Sequence, residues 1–339
     1  MLSPIETILR KSTRKDNEPL NIISFPTHEP YQTALDKTGH KFYLWQSDAT
    51  KSWNNECGIL PPNHILLNKD HGEQQLPLWI EPDLVLSQNK FGQFAIAKKL
   101  ADTLKIPLIS LEHTLPVPEW PKSKLKILKM MRGDINLFIS NYSRSKWGWS
   151  EDEADIIHHG IDTNFFIPIP DKTRENHLLV VCNDYINRSW CVGFDVFQRI
   201  TGYPNQKLIP FKAFGKTPGF SEYAPTRESL NVAYNECGCF LNTATQSPIP
   251  TVVLEAMSAG TPVVSTKNPM LCEIIQHGKN GFLSDNPDEM RNICQELIKN
   301  KDLAQQVGYN SRQTILERFP LNKFIENWNS IFKTAIEIK

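Results

Sequence analysis

Three groups of residues in this chain have the types and spacing to do chemistry on their own account. Between Pro121 and Ser150 stand seven basic side chains, Lys122, Lys124, Lys126, Lys129, Arg132, Arg144 and Lys146, against the single acid Asp134. As a helix, Glu119–Arg132 turns Leu125, Leu128 and Met131 or Met130 inward and fans its lysines over the remaining surface. Such a face serves as a solvated surface, binds a polyanion such as DNA, or rests on an anionic membrane. Trp147 and Trp149 fit base stacking, an interfacial anchor or a plain core. In the second group, the backbone N–H groups of Ile249, Thr251 and Val252 open an apolar helix, and a helix N-terminus favours a diphosphate. Pro248 and Pro250 between them have no N–H to give. The third group is His28 and Glu29, in the loop after the first strand. There they serve either an acceptor or, as a cap facing water, the following helix.

These groups need a parallel sheet to position them. Leu20–Phe25 reads as a strand, followed by a helix to Asp36 and a strand at Lys41–Trp45, the β-loop-α-β opening of crossover units. Ser47–Leu76 is irregular. Beyond it, Asp83–Ser87, Ile106–Leu111 and Asp134–Ser140 read as strands and Phe91–Leu104 as a helix. In the second half, Leu178–Cys182, Gly238–Leu241 and Val263–Ser265 read as strands. Thr251–Ala259, Pro287–Asn300, Leu303–Phe319 and Phe324–Ile338 read as helices. Ligands of such sheets bind at the carboxyl ends of the strands. Pro168 and Pro170 stiffen a linker, and the boundaries expected are an arm at 1–18, domains at 19–168 and 169–322, and a terminal helix at 323–339.

Composition sets limits. A chain of 339 residues with 40% apolar content builds two domains of ordinary size. Its formal net charge of zero gives no global electrostatic partner, and no apolar run approaches a membrane span. With no signal peptide read at the N-terminus and seven scattered cysteines taken as reduced thiols, a cytoplasmic protein is expected, soluble or peripherally attached. No metal site is expected. Cys237-Gly-Cys239 lacks a second pair, and His158-His159 on a strand would point to opposite faces.

The stretch Asn242–Gly281 carries a resemblance. Its order of helix, Gly260-Thr261-Pro262, strand Val263-Val264-Ser265, Glu273-Ile274-Ile275 and turn His277–Gly281 resembles the donor-binding segment of GT-B glycosyltransferases, especially family 4. That family's pattern runs E-x7-E-A-M-A-x-G-x-P-V-V, then P-E-I-I and D-G-x-N-G. The resemblance implies an α/β protein of two Rossmann-like domains facing each other across a cleft, with a nucleotide-diphosphate sugar as co-substrate. Glu255 matches the second glutamate, which in the family holds the ribose hydroxyls; a carboxylate accepts from two vicinal hydroxyls and donates none. Ser247 stands where the first glutamate would be.

In the family the loop after the second domain's first strand supplies a basic residue and then Lys-Gly to clamp the pyrophosphate. Arg188 is present here, its planar fork suited to two phosphate oxygens, while Val192-Gly193 replaces Lys-Gly. Lys212 or Lys216 is then expected to supply the second charge. By the same resemblance His113, after the Ile106–Leu111 strand, contacts a sugar hydroxyl. The segment from Gly160 to Phe166 resembles the turn that ends the first domain. With no D-x-D motif in the sequence, a metal-independent and configuration-retaining transfer is implied. A saccharide or surface polymer is the expected acceptor. Hydroxymethylated bases in DNA, as for some phage-encoded GT-B enzymes, are the alternative, and a non-catalytic nucleotide-sugar-binding scaffold is the third reading.

Overall fold

The computed structural model describes residues 18–48, 50 and 52–338. The 1–18 arm, apart from Glu18, lies outside the described residues. The chain divides into two compact units. The first holds the chain up to Ile139, Arg144–Ile157 and the stretch from Ile325 onward; the second holds Ser140–Ser143 and His158–Phe324.

The first unit is built on a seven-stranded sheet of β1 (Asn21–Phe25), β2 (Lys41–Leu44), β3 (His64–Leu66), β4 (Leu84–Ser87), β5 (Leu108–Glu112), β6 (Ile135–Phe138) and β7 (Asp155–Ile156), in the order β3-β2-β1-β4-β5-β6-β7. Every neighbouring pair is parallel. Parallel pairing demands a crossover between strands, and the helices α1 (Glu29–Asp36), α2 (Phe94–Leu104), α3 (Lys122–Lys129) and α4 (Asn141–Lys146) lie in these connections. The strands are short apolar runs because both faces are covered: β4 and β5 are buried at every position. Strand β3 falls in the stretch that reads as irregular in sequence. As an edge strand with Ile65 and Leu66 exposed, it has no apolar alternation to announce it.

Helix α3 is shorter than its lysine pattern, because Pro121 stands at its N-cap and Met130 closes it. Trp147 and Trp149 are 0% and 4% exposed and pack with Leu128, Phe138 and Ala154, so they are core and neither stack on bases nor anchor in an interface.

The second unit carries β8 (Leu178–Val181), β9 (Phe211–Phe214), β10 (Cys239–Asn242), β11 (Val263–Ser265) and β12 (Phe282–Leu283), in the order β12-β11-β10-β8-β9 and again parallel. Around it run α5 (Ser189–Val192), α6 (Phe194–Thr201), α7 (Arg227–Glu236), α8 (Thr251–Ser258), α9 (Pro269–Cys272), α10 (Pro287–Lys299) and α11 (Lys301–Arg318), and α12 (Leu321–Ile338) belongs to this unit as far as Phe324. The core joins Phe197 and Ile200 of α6 to Cys239, Leu241 and Val264 of the sheet and to Met290, Cys294 and Leu297 of α10. Cys237 and Cys239 are buried free thiols in this region.

This unit begins at His158, upstream of the expected boundary at residue 169. The reason is backbone tethering: Ile161 bridges to Pro320, and the Phe166 carbonyl accepts from Ser258 Oγ at 2.7 Å and Arg312 Nη1 at 3.1 Å. At the other end, Trp328 Nε1 donates to Tyr31 Oη at 3.1 Å and Phe332 packs on His40 and Phe42, which places the last turns of α12 in the first unit.

Candidate functional site

The carboxyl ends of β8, β9 and β10 gather the second unit's polar residues. Backbone N–H groups lock the three loops together. Asp184 N–H donates to the Lys216 carbonyl at 2.7 Å, Lys216 N–H to Asn183 Oδ1 at 3.0 Å, and the Thr245 and Gln246 N–H groups to the Cys191 carbonyl at 3.0 and 3.2 Å. Thr243 Oγ1 donates to the Val192 carbonyl at 2.8 Å and shares a short hydrogen bond with the Tyr185 hydroxyl. Gly193, where the family carries the glycine of Lys-Gly, has φ 73 and lies so close to the Thr243 carbonyl that a side chain there would collide with backbone. Its glycine identity is therefore set by the approach of two loops.

On this platform Arg188 stands exposed at the N-cap of α5, with Nη2 4.0 Å from the Cys191 sulfur. Lys216 follows β9 at the same edge, exposed and paired with Glu222. Lys212 does not join them. It lies on β9 opposite Leu179, 4.0 Å from Glu236, the residue that ends α7 ahead of β10, and its ammonium rests over the Phe214 ring at 5.2 Å. Of the two lysines, the structure brings Lys216 and not Lys212 to the edge. Cys182 follows β8 at the start of the loop that carries Arg188, and burial pushes its thiol up to about 12, which favours the protonated form.

Helix α8 starts at this edge. Pro250 is its N-cap and offers no side-chain hydrogen bond, so no side chain competes for the first-turn N–H groups of Thr251 and Val252. Ile249 buries its side chain, 4% exposed, beneath the turn. Ser247 bends back on its own loop: Oγ donates to the Pro248 carbonyl at 3.0 Å, and its carbonyl accepts from Asn268 Nδ2 at 2.8 Å. Its hydroxyl therefore works as a loop fastener.

Glu255 lies one helical turn inside α8 and is 8% exposed. Tyr234 donates its hydroxyl to Oε2 at 3.0 Å. Burial raises the carboxyl pKa above its ordinary value, against the opposing pull of the Arg227 guanidinium and the Tyr234 bond. Arg227 itself rests over the Phe165 and Phe166 rings at 4.9 and 5.2 Å. Tyr234 and Arg227 were not legible as partners of Glu255, since both sit on α7, Tyr234 being 21 residues away in sequence. The Thr226–Ser229 capping box that starts α7 was the one local signal for that helix.

In the first unit His113 and Glu29 are drawn inward. His113 is 6% exposed with its ring edge-on to Tyr31, centroids 4.4 Å apart. Beside it, Glu112 is fully buried, accepting from Lys90 N–H at 2.7 Å, Thr114 N–H at 2.8 Å and Thr114 Oγ1 at 2.6 Å, and burial raises its pKa. Glu29 is 3% exposed, with Oε1 accepting from Asn54 N–H at 3.2 Å. It therefore does not face water, whereas His28 at the N-cap of α1 is exposed and makes no side-chain cap. Both line a small crevice with Pro26, Thr27, Ser52 and Trp53.

The basic stretch splits in two. Lys122, Lys124, Lys126 and Lys146 are exposed and Lys129 is half-buried. Arg132 pairs with Glu153 at 2.6 Å; Arg144 is 8% exposed, donating to the Ala154 carbonyl at 3.0 Å and Glu151 at 2.6 Å. Arg144 is thus a fold fastener and leaves the expected polyanion surface.

Residues 215–314 match the sequence model of "Glycosyl transferases group 1". Over this segment the chain is similar to group 1 glycosyltransferases. Over 83 residues it is 31% identical to N-acetyl-alpha-D-glucosaminyl L-malate synthase of Bacillus anthracis, and over 191 residues 24% identical to a probable sucrose-phosphate synthase of Thermosipho melanesiensis. These stretches cover 24% and 50% of this chain but only 22% and 44% of the two relatives. The crystal structure of Anabaena HepE in complex with UDP and glucose superposes with TM-score 0.72 at 17% identity, covering 94% of this chain and all of that one. The fold is GT-B, with two Rossmann-like units. The group 1 segment begins at Gly215 and so contains Lys216, the α8 N-terminus and Glu255, while Arg188 lies ahead of it. Among the described residues no helix is long and apolar enough to cross a membrane.

Proposed function

We propose that this protein transfers a sugar from a nucleoside-diphosphate donor to an acceptor hydroxyl, retaining anomeric configuration and stabilising the leaving diphosphate with its own cations. The observation that carries this reading is the convergence of exposed Arg188, Lys216 and the uncapped α8 N-terminus on one sheet edge, with Glu255 one turn deeper. Arg188 bridges two phosphate oxygens with its planar fork, Lys216 supplies a point charge, and the Thr251 and Val252 N–H groups meet the charge that develops as the diphosphate departs. Glu255, one oxygen already held by Tyr234, accepts from the donor's ribose hydroxyls. UDP in the Anabaena HepE complex supports a uridine diphosphate donor.

In the reaction the bond from the anomeric carbon to the diphosphate oxygen breaks, the bond to the acceptor oxygen forms on the same face, and the acceptor proton passes to the departing phosphate. A saccharide or surface-polymer hydroxyl is the acceptor favoured here. The DNA alternative rests on the basic stretch Lys122–Lys146 with Trp147 and Trp149 beside it; both tryptophans and Arg144 are buried, while Lys122, Lys124, Lys126 and Lys146 stay exposed.

Calorimetric titration with UDP and with GDP tests the donor site. One nucleotide is expected to bind, with about tenfold loss in Arg188→Ala and only partial rescue in Arg188→Lys, which keeps the charge but not the fork. Failure of both nucleotides to bind, or equal affinity in Arg188→Ala, would overturn the assignment.

A further inference from the structure

Helix α3 has a face that the donor site does not use. Leu128 is its buried contact and Leu125 its half-buried one. At 3.6 residues per turn, Lys122 and Lys126 align on the opposite side beside Met130, with Ile127 next to them. Ile127 is 60% exposed and Met130 71% exposed, beside Lys122 and Lys126, both exposed as well. Lys122, Leu125, Lys126, Lys129, Met130 and Arg132 line an open groove along this face, and no acid is among them. Lys124 leans over the Trp120 ring at 3.9 Å, and Arg132 is stacked at 4.1 Å on Trp149, so the flanks of the face are held in place by aromatic rings.

We infer that this face docks on an anionic phospholipid bilayer, with Ile127 and Met130 entering the headgroup boundary and Lys122 and Lys126 meeting lipid phosphates. The charge pattern alone fits any polyanion. The apolar pair separates the choices: two aliphatic side chains raised among lysines gain nothing from a phosphate backbone in water, but they gain burial at a bilayer, where such amphipathic helices combine apolar insertion with attraction to anionic lipids. The inference does not rest on the donor site, whose nucleotide affinity is read separately.

Flotation of the purified full chain with vesicles of phosphatidylcholine alone, or mixed with phosphatidylglycerol, tests it at low and high salt. Binding to the mixed vesicles only, weakened by salt, is expected. It should fall about tenfold in Lys122→Glu/Lys126→Glu and by a similar factor in Ile127→Ser/Met130→Ser, which leaves the charge unchanged. All four positions are exposed, and unchanged melting and UDP titration confirm that the variants fold. Wild-type protein that ignores anionic vesicles would overturn the inference. So would full vesicle binding by Ile127→Ser/Met130→Ser, or tighter binding of a labelled DNA duplex than of the vesicles in parallel titrations, which would make the face a nucleic-acid surface.

Discussion

The two sheets have the same parallel build, yet their carboxyl edges are finished in opposite ways. In the second unit, the loops after β8 and β9 are tied to each other by backbone bonds, which leaves Arg188 and Lys216 exposed. In the first, side chains at the strand ends are consumed: Gln88 Nε2 donates to Gln32 Oε1 at 2.6 Å, Lys90 Nζ to the Met131 carbonyl at 2.6 Å, and Glu112 accepts three hydrogen bonds. Lys90 shows the cost of such burial, with its pKa lowered to about 8 by desolvation despite the nearby Glu112 carboxylate. In the second unit the basic residues just past the strands stay exposed where backbone N–H groups satisfy the loops. Where side chains must do so, the same position becomes part of the fold.

That contrast can be broken by substitutions on either side of it. Trp147 is fully buried with Nε1 donating to the Thr114 carbonyl at 2.9 Å. Trp147→Ala should cost the first unit about 3–5 kcal/mol and leave nucleotide affinity measured below the melting range unchanged. A variant that melts like wild type but loses ligand binding would move Trp147 from the core to a site.

Glu255→Ala should weaken nucleotide binding by about 2 kcal/mol, roughly thirtyfold, since it removes a charged hydrogen-bond acceptor. Ser247→Ala, whose hydroxyl only closes its own loop, should stay close to wild type. The Glu255 carboxyl stands above its ordinary pKa, so it takes up its proton early on acidification. Wild-type affinity should fall as pH drops through that raised value, above the about 4.3 of a free glutamate, and Glu255→Ala should flatten this limb. Equal affinities in wild type and Glu255→Ala would remove the residue from the site. By linkage, the same raised pKa makes the protonated form the stabilising one, so its contribution to folding is lost as pH rises through the folded value.

The smallest effect sharpens the comparison within one strand. Lys216→Ala should lower nucleotide affinity about fivefold, whereas Lys212→Ala, whose partner is Glu236, should change it by less than the error and stability by no more than about 0.5 kcal/mol. Reversed effects in a parallel titration would place the ligand at the other end of β9.

Sequence reading located most strands and helices within a few residues, because buried parallel strands are short apolar runs and Gly260-Thr261-Pro262 punctuates α8 and β11. It could not find β3 or α7, one an exposed edge strand and the other a polar helix fixed mainly by its cap. Glu255, Arg188 and the α8 N-terminus could be proposed from sequence since they belong to one contiguous pattern or to a loop that follows a clear strand. Their partners were not, because Tyr234 reaches Glu255 and Thr243 meets Tyr185 only after the sheet has brought distant segments together.

By itself, then, the sequence determined the parallel α/β architecture, the donor-like segment and a lysine-rich helix, all of which depend on residue type and local spacing. The tertiary structure decided which charges remain available. Arg144, Glu112 and Glu29 went to hydrogen bonds in the interior, and Lys212 to a place beside Glu236. The physical reason is that a polar group in a packed interior must find a partner, and that partner is chosen by neighbours in space, which residue order does not state.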